Sequence, residues 1–185
     1  MPGVKHYGLA ASFDLECYGL DPVYGRLLCG VIKPFQYGEP QIYRIAVPGN
    51  DDSALTATLV EELSKYSILF AHNGLWFDRA MLNGRALAYG LPILDPKHKI
   101  VDPFQIARKH LNTKRNSLDA LTNLCHIPES KMHVDAEMWC KVAFDHDEEA
   151  FKIIIERCVS DVRILEELAI RTLPFMGNIN PFGSA

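Results

Sequence analysis

The hydrophobic residues of this chain change their period once, near residue 50, and this change limits the possible folds more than any other feature. Three short apolar segments precede it, at 7–14, 26–33 and 41–47, and Gly- and Pro-containing turn signals separate them. Segments of this kind are typical of strands, and their close succession predicts an antiparallel meander. After residue 50 the apolar residues recur mainly at helical spacing, so the rest of the chain is expected to be largely helical.

Two more strands are expected within that second part. The segment 51–65 opens with acidic and Ser residues suited to a helix N-terminus, and its leucines recur four apart. A strand is then predicted at 67–71, a helix at 76–89, and a short strand at 100–102. The order is three strands followed by a β-α-β arrangement.

The remaining pattern is helical almost to residue 172. Asp102 precedes Pro103, a favoured first helical residue, so helix capping explains it without any chemistry. Ser117 is expected to cap a short helix, 134–143 to form another, and 147–172 to form a long terminal one.

Size and composition fit one globular, intracellular domain. The 185 residues, 48% hydrophobic and 23% charged, suffice for a buried core, and the apolar runs fall far short of the roughly 18 residues of a membrane helix. We expect a core at about 7–172, with 174–185 as a tail. No signal-peptide pattern is visible, and the 5 cysteines form no CxxC pair. Free thiols in the cytoplasm are therefore expected.

The net charge of −4 is unusual for a protein that binds nucleic acid, since such surfaces are commonly basic. It does not exclude that class, because carboxylates gathered around divalent cations lose their charge when the metal binds, and the metal then attracts phosphate. Basic residues are also concentrated between 97 and 115. They could flank such a site or form an ordinary solvated surface.

The first motif with chemical content is Asp14-Leu15-Glu16, at the expected end of the first strand. Residues two apart in a strand share a face, so the two carboxylates point the same way. Buried beside an apolar strand, this pair is costly unless cations hold it. Taken alone, the pattern also fits a solvated turn.

The second motif is His72-Asn73-Gly74-Leu75-Trp76-Phe77-Asp78, directly after the predicted strand 67–71. Its glycine allows close backbone approach, and Asp78 falls near a helix start, where negative charge is favoured. An ordinary helix cap, with Phe77 packed in the core, is the alternative.

The third motif is Cys158-Val159-Ser160-Asp161-Val162, inside the predicted terminal helix. An apolar stripe on that helix is expected to pack on the sheet, and Asp161 lies beside it, directed toward the strand of Asp14 and Glu16. The stripe consists of Val162, Leu165, Leu168 and Ala169. An isolated helical Asp would otherwise be a surface residue.

The ordered set FDLE, AHNGLWFD and CVSDVRILEEL resembles the three motifs of the DEDD exonucleases, a family that includes polymerase proofreading domains and small bacterial and phage exonucleases. The resemblance covers about residues 7–172. It implies a ribonuclease H-like α/β fold with a mixed five-stranded sheet, three antiparallel strands and then two parallel ones, flanked by helices and ending in a long helix. It also implies a cytoplasmic enzyme of a bacterial or phage-infected cell.

The resemblance further implies a metal-dependent 3′–5′ exonuclease that releases nucleoside monophosphates from the 3′ end of single-stranded nucleic acid, with DNA favoured over RNA. Asp14, Glu16, Asp78 and Asp161 would be its catalytic residues and would hold two Mg²⁺ or Mn²⁺ ions. Two cations about 3.5–4 Å apart can generate a hydroxide near neutral pH and stabilise the departing oxygen. Hard oxygen ligands select these metals.

Four residues are carried over as substrate contacts: Leu15, Asn73, Phe77 and Arg157. Arg157 stands where one subclass of the family has a tyrosine that orients the attacking water, and Glu156 stands where the other has a histidine. A guanidinium does not act as a base but can bind phosphate. The metals could therefore suffice, His146 or His133 could approach the water, or the nuclease could be weakened.

Two other functions stay open from the sequence. One is a catalytically degraded domain that binds nucleic-acid ends or a partner protein, which Arg157 favours. The intact carboxylate quartet opposes it, since such charges repel one another without metals. The other is a junction resolvase or RNA–DNA hybrid nuclease, which the NGLWFD string disfavours.

Overall fold

The computed structural model describes residues 10–36, 38–46, 51–129 and 131–176. Five strands form one mixed sheet: β1 (Ala10–Tyr18), β2 (Arg26–Pro34), β3 (Gln41–Arg44), β4 (Ile68–Phe70) and β5 (Lys99–Val101). Their order is β3-β2-β1-β4-β5, with β1, β2 and β3 antiparallel in succession and β4 and β5 parallel to β1. The predicted α/β fold, with three antiparallel and two parallel strands, is confirmed.

Helices flank the sheet in the predicted order: α1 (Ser53–Leu63), α2 (Asp78–Ala88), α3 (Pro103–His110), α4 (Leu118–Leu124), α5 (Glu137–Cys140) and α6 (Glu148–Thr172). The starts of α3, α4 and α6 follow the expected capping chemistry. The Asp102 carboxylate accepts from Phe104 N at the start of α3, and Ser117 Oγ accepts from Ala120 N at the start of α4. Asp147 caps α6 in the same way, which fixes the start of the long terminal helix.

The first strand is longer than the apolar pattern predicted. Its antiparallel pairing with β2 continues to Tyr18 opposite Arg26, with a register shift between Glu16 and Cys17. The first two carboxylates therefore lie inside the central strand of the sheet and not at its end. Residues 7–9 and 47, also assigned to strands, lie outside the described part, as do 177–185 of the predicted tail.

The helix predicted over 134–143 is shorter than expected. Only Glu137–Cys140 is α-helical, and a π-helical turn, Lys141–Asp145, follows it. This segment buries Val142 and Ala143 but begins without a side-chain cap. The apolar residues of 134–143 recur at helical spacing, but no described side chain caps a helix start before Glu137.

The two faces of β1 are covered by different helices. The apolar stripe of α6 is fully buried as predicted, and Cys158 of α6 contacts Asp14 on one face. On the other face, Leu15 packs against Leu59 of α1, so closely that a methyl group on Gly30 would meet both at 2.8 Å. Alternation along the strand thus directs Asp14 and Glu16 toward α6, and Leu15 toward the α1 layer.

Candidate active site

A cavity of about 500 Å³ opens beside β1, and every residue that the sequence singled out as a site residue lines it. The four carboxylates in its wall are Asp14, Glu16, Asp78 and Asp161. The four predicted substrate contacts lie there too: Leu15, Asn73, Phe77 and Arg157. Three motifs separated by more than 50 residues in sequence therefore converge on one place.

Asp14 and Glu16 stand side by side on the face of β1 covered by α6. The Cys158 thiol donates to Asp14 Oδ2 at 3.3 Å and lies 3.4 Å from the Asp14 carbonyl oxygen. Ligand atoms of Asp14, Glu16 and Cys158 all lie within 4.8 Å of one another. The spacing of these three groups is compatible with a shared cation.

Asp78 is the first residue of α2 and is buried against β1. The backbone N–H of Leu15 donates to its Oδ1 at 3.1 Å, which ties the second motif to the first. The loop before α2 folds back tightly: a Cβ on Gly74 would lie 2.1 Å from that of Ala71. Only glycine permits this approach, so the glycine of the second motif sets the position of Asp78.

Asp161 reaches the cavity from α6 and is only 3% exposed. Its Oδ2 lies 3.3 Å from Lys131 Nζ and 3.5 Å from Arg157 Nη2. Its buried Oδ1 has no hydrogen-bond partner among the described residues. A buried acceptor without a donor is costly, and a cation is the kind of ligand that would satisfy it.

Burial dominates the electrostatics of the cluster. It raises the pKa of Asp14 well above its usual range, with the charges of Asp78, Glu16 and Asp161 acting in the same direction. Burial also raises the pKa of Glu16 to about 7 and that of Asp78 to about 7, and it raises the pKa of Asp161. Four carboxylates in this cavity are fully charged together near neutral pH only if positive charge accompanies them.

Some of that charge comes from Arg157. Its Nη1 donates to Glu16 Oε1 at 2.7 Å, and Trp139 Nε1 donates to the other oxygen of Glu16 at 3.0 Å. The guanidinium carbon also lies 5.2 Å from the centre of the Trp139 ring. The ion pair with Glu16 and the cation–π contact with Trp139 thus hold the Arg157 side chain against the carboxylates.

The profile of the RNase H superfamily matches residues 11–172. This chain belongs to the RNase H superfamily. A search of curated proteins finds no match. Membership in the superfamily supports nuclease activity as the class of function, and divalent metals are typical of such nucleases.

Solved structures agree with the fold of this RNase H superfamily member. The family B DNA polymerase from the hyperthermophilic archaeon Pyrobaculum calidifontis matches with a TM-score of 0.71 at 20% identity, over 89% of this chain and 24% of the polymerase. Brucella melitensis NrnC matches with a TM-score of 0.65 at 23% identity, over 95% of this chain and 78% of NrnC. The chain spans about a quarter of the polymerase, and at these identities the likeness concerns the fold. Among the described helices, none is long and apolar enough to cross a membrane.

The histidines considered as substitutes for the water-orienting group do not line the cavity of this superfamily member. His133 is exposed and His146 half-buried, at a left-handed turn before α6. The histidine in the wall is His72, whose pKa burial lowers to about 4. It is therefore neutral at physiological pH and carries no positive charge into the site.

Three residues in or behind the cavity wall were missed. Lys131 pairs with Asp161, and Trp139 holds Glu16, but neither contact follows a sequence period. Leu20 lines the opening with 83% of its surface exposed, an apolar contact that a nucleobase could use. Only its position, just after the first motif, could have suggested it.

Asp102 does more than cap α3. Its Oδ1 accepts from Phe104 N and also from Asn73 N, each at 2.9 Å. Asn73 has a φ of 59°, in the left-handed region, so this bond holds the second motif in a conformation that few residues adopt. Parallel β4 and β5 end at the same edge of the sheet, and this adjacency was the available signal.

Proposed function

We propose that this RNase H superfamily member is a metal-dependent 3′–5′ exonuclease that hydrolyses single-stranded nucleic acid, DNA first among its substrates, to nucleoside monophosphates. The observation that supports it most is the convergence of Asp14, Glu16, Asp78 and Asp161 on one cavity. The order of the motifs along the chain, which matches that of the DEDD exonucleases, adds the direction of cutting.

The chemistry of the donor set supports two divalent cations, Mg²⁺ or Mn²⁺. Carboxylate oxygens are the ligands that these ions prefer, and Asp161 Oδ1 is buried without a partner among the described residues. Asp14, Glu16, Asp78 and Asp161 would hold them. Bound there, the cations would cancel the charge of the cluster and supply Lewis acidity for phosphodiester hydrolysis.

The chain's own residues orient the site around that chemistry. The Leu15 N–H fixes one oxygen of Asp78 and so orients its carboxylate in the cavity wall. The Leu15 side chain is buried in the α1 layer, so its contribution to substrate binding is limited to its backbone. Asn73, Phe77 and Leu20 border the cavity and would place the terminal nucleotide.

A second function is favoured by one observation, the pairing of Arg157 and Lys131 with the site carboxylates. Positive side chains already neutralise part of the cluster without metal. A domain that binds nucleic-acid ends or a partner protein without cutting would need no further cations. The two functions differ in their response to divalent metal.

The deciding experiment uses 5′-labelled single strands, as DNA and as RNA, with metal-free protein to which Mg²⁺ or Mn²⁺ is added. A descending ladder that a blocked 3′ end prevents would support the exonuclease. Asp14→Asn should abolish it, whereas Glu167→Gln, an exposed carboxylate on α6, should leave it unchanged. A closed circular strand should survive, and its rapid cleavage would favour an endonuclease of the hybrid-cutting or resolvase type.

Binding of the metal is measured separately by melting. A cation that binds only the folded state raises the melting temperature by mass action, and Asp14→Asn should remove that gain. Stabilisation by metal without hydrolysis of any strand would contradict the exonuclease. Bound DNA with neither hydrolysis nor metal stabilisation would support the end-binding domain.

A further inference from the structure

A sulfur atom lies directly behind the carboxylate cluster. Cys158 is fully buried on α6, and its Sγ approaches Asp14 Oδ2 to 3.3 Å. The oxygens of Asp14 are hard metal ligands, whereas a sulfur atom is a soft one. Mg²⁺ and Mn²⁺ gain little from a thiolate, but Zn²⁺ and Cd²⁺ favour it.

We propose that Cys158, Asp14 and Glu16 form a binding site for a thiophilic divalent cation such as Zn²⁺, Co²⁺ or Cd²⁺, with Asp161 as the fourth ligand. The first three groups offer one sulfur and two oxygens within 4.8 Å of one another. Zinc sites in proteins are commonly tetrahedral and accept both cysteine sulfur and carboxylate oxygen. Binding would draw these side chains together around the ion.

Asp161, whose buried Oδ1 also supports the proposed metal-dependent function, is a second reason to place a cation there. It lies three residues after Cys158, on the same side of α6, and its Oδ1 is buried with no hydrogen-bond partner among the described residues. A buried carboxylate oxygen without a hydrogen-bond donor can be satisfied by a bound cation. A cation between β1 and α6 would satisfy it.

Binding also has a proton balance that the structure makes explicit. The Cys158 thiol donates its hydrogen to Asp14 Oδ2, so the sulfur is protonated before the metal arrives. When the sulfur–metal bond forms, the S–H bond breaks and the proton leaves to the buffer. Nothing is oxidised or reduced.

The site shares Asp14 and Glu16 with the proposed catalytic cluster, so the inference deepens the proposed function. A thiophilic cation would compete with Mg²⁺ for those carboxylates. Selectivity between soft and hard cations would then depend on Cys158 alone among the four ligands. Metal binding without nucleic acid tests this separately from nuclease activity.

The experiment titrates metal-free protein with Co²⁺ and follows the sulfur-to-cobalt charge-transfer absorption in the near ultraviolet. Wild type should develop this band, and Cys158→Ser should not. Cys17→Ser is the matched control and should keep the band, because Cys17 lines the same cavity but donates to the Gly19 carbonyl oxygen. Calorimetry should show Cd²⁺ affinity falling in Cys158→Ser by at least the roughly 10- to 100-fold that loss of a group supporting a metal ligand typically causes, with Mg²⁺ affinity unchanged.

Asp14→Asn gives a second measurement that does not depend on the folding of Cys158→Ser, and it should also weaken the band. No band in wild type, a band that survives in Cys158→Ser, or one lost in Cys17→Ser would each overturn the proposal. Loss of nuclease activity in any of these proteins has no bearing on it. The band therefore reports metal binding through sulfur, separately from hydrolysis.

Discussion

Replacing Glu16 by Gln is expected to flatten the pH dependence of the metal-free protein's stability. Burial raises the pKa of Glu16 from 4.5 to about 7, and the opposing effects of Arg157 and the Trp139 N–H do not reverse it. Below the lower value the carboxyl is protonated in both folded and unfolded chains. Between the two values only the unfolded chain loses its proton, so the unfolding free energy falls as pH rises and the loss is complete above the folded pKa.

The size of the effect follows from that interval. The difference between 4.5 and about 7, at about 1.4 kcal/mol for each pH unit, corresponds to about 3 kcal/mol of unfolding free energy. Glu16 is 5% exposed, so solvent screening reduces this little. The other site carboxylates are present in both proteins. Glu16→Gln also removes a charge that raises the pKa of Asp14, and this change acts in the same direction as the loss of the Glu16 carboxyl.

Urea unfolding at about pH 5 and about pH 8, in metal-free buffer, measures the difference. Wild type should lose about 3 kcal/mol more than Glu16→Gln between the two conditions. Glu167→Gln, an exposed change on α6, should follow wild type. Millimolar Mg²⁺ should restore wild-type stability at the higher pH, since cations favour the charged carboxylate. Parallel profiles for wild type and Glu16→Gln would refute the assignment of a desolvated carboxyl at this position.

Three further predictions concern the surroundings of the site. In Asp102→Ser the serine can still cap α3, but its side chain is too short to reach Asn73 N as well. KM for a single strand should therefore rise severalfold, whereas Asp102→Asn should stay near wild type. Equal kinetics in the two variants would contradict a positioning role for Asp102. Asp52 is fully buried against Arg85, and Asp52→Ala should cost about 3–5 kcal/mol in urea unfolding because it leaves a buried guanidinium unpaired; a loss below about 1 kcal/mol would refute this. Arg157→Gln should destabilise the metal-free protein and tighten Mg²⁺ binding about tenfold, or about 1.4 kcal/mol, in calorimetry, and weaker binding would show that Arg157 does not compete with the cation.

The order of the elements could be read from the sequence because each strand or helix had a local signal. Asp102 and Ser117 identify helix starts by their own chemistry, and both cap as predicted. The end of β1 could not be read, because it depends on pairing with β2 through Tyr18 and not on the apolar run. The segment over 134–143 shows the opposite error, since a helical period was present without a cap.

The meeting of the four carboxylates in one cavity was predictable because a shared motif order identified them together, although each was ambiguous alone. Their supports were not. Lys131, Trp139 and Asp102 act on residues 30, 123 and 29 positions away, and no periodicity links such pairs. The order of motifs along the chain indicates the candidate site residues. The residues that hold them in place are decided by contacts between segments that are distant in sequence.

Arg157 shows how a motif and its geometry answer different questions. By resemblance to the DEDD exonucleases it would stand where a tyrosine hydroxyl orients water, and a guanidinium, which only donates, does not replace that role. By structure it supplies positive charge to Glu16 and Asp161, and Lys131 adds more at Asp161. Cations entering the cluster must therefore displace or tolerate these charges, so in the proposed nuclease metal affinity and hydrolysis would both depend on these two side chains. An enzyme built this way should need a higher metal concentration than one whose carboxylates are unpaired, and Arg157→Gln separates that competition from the missing hydroxyl.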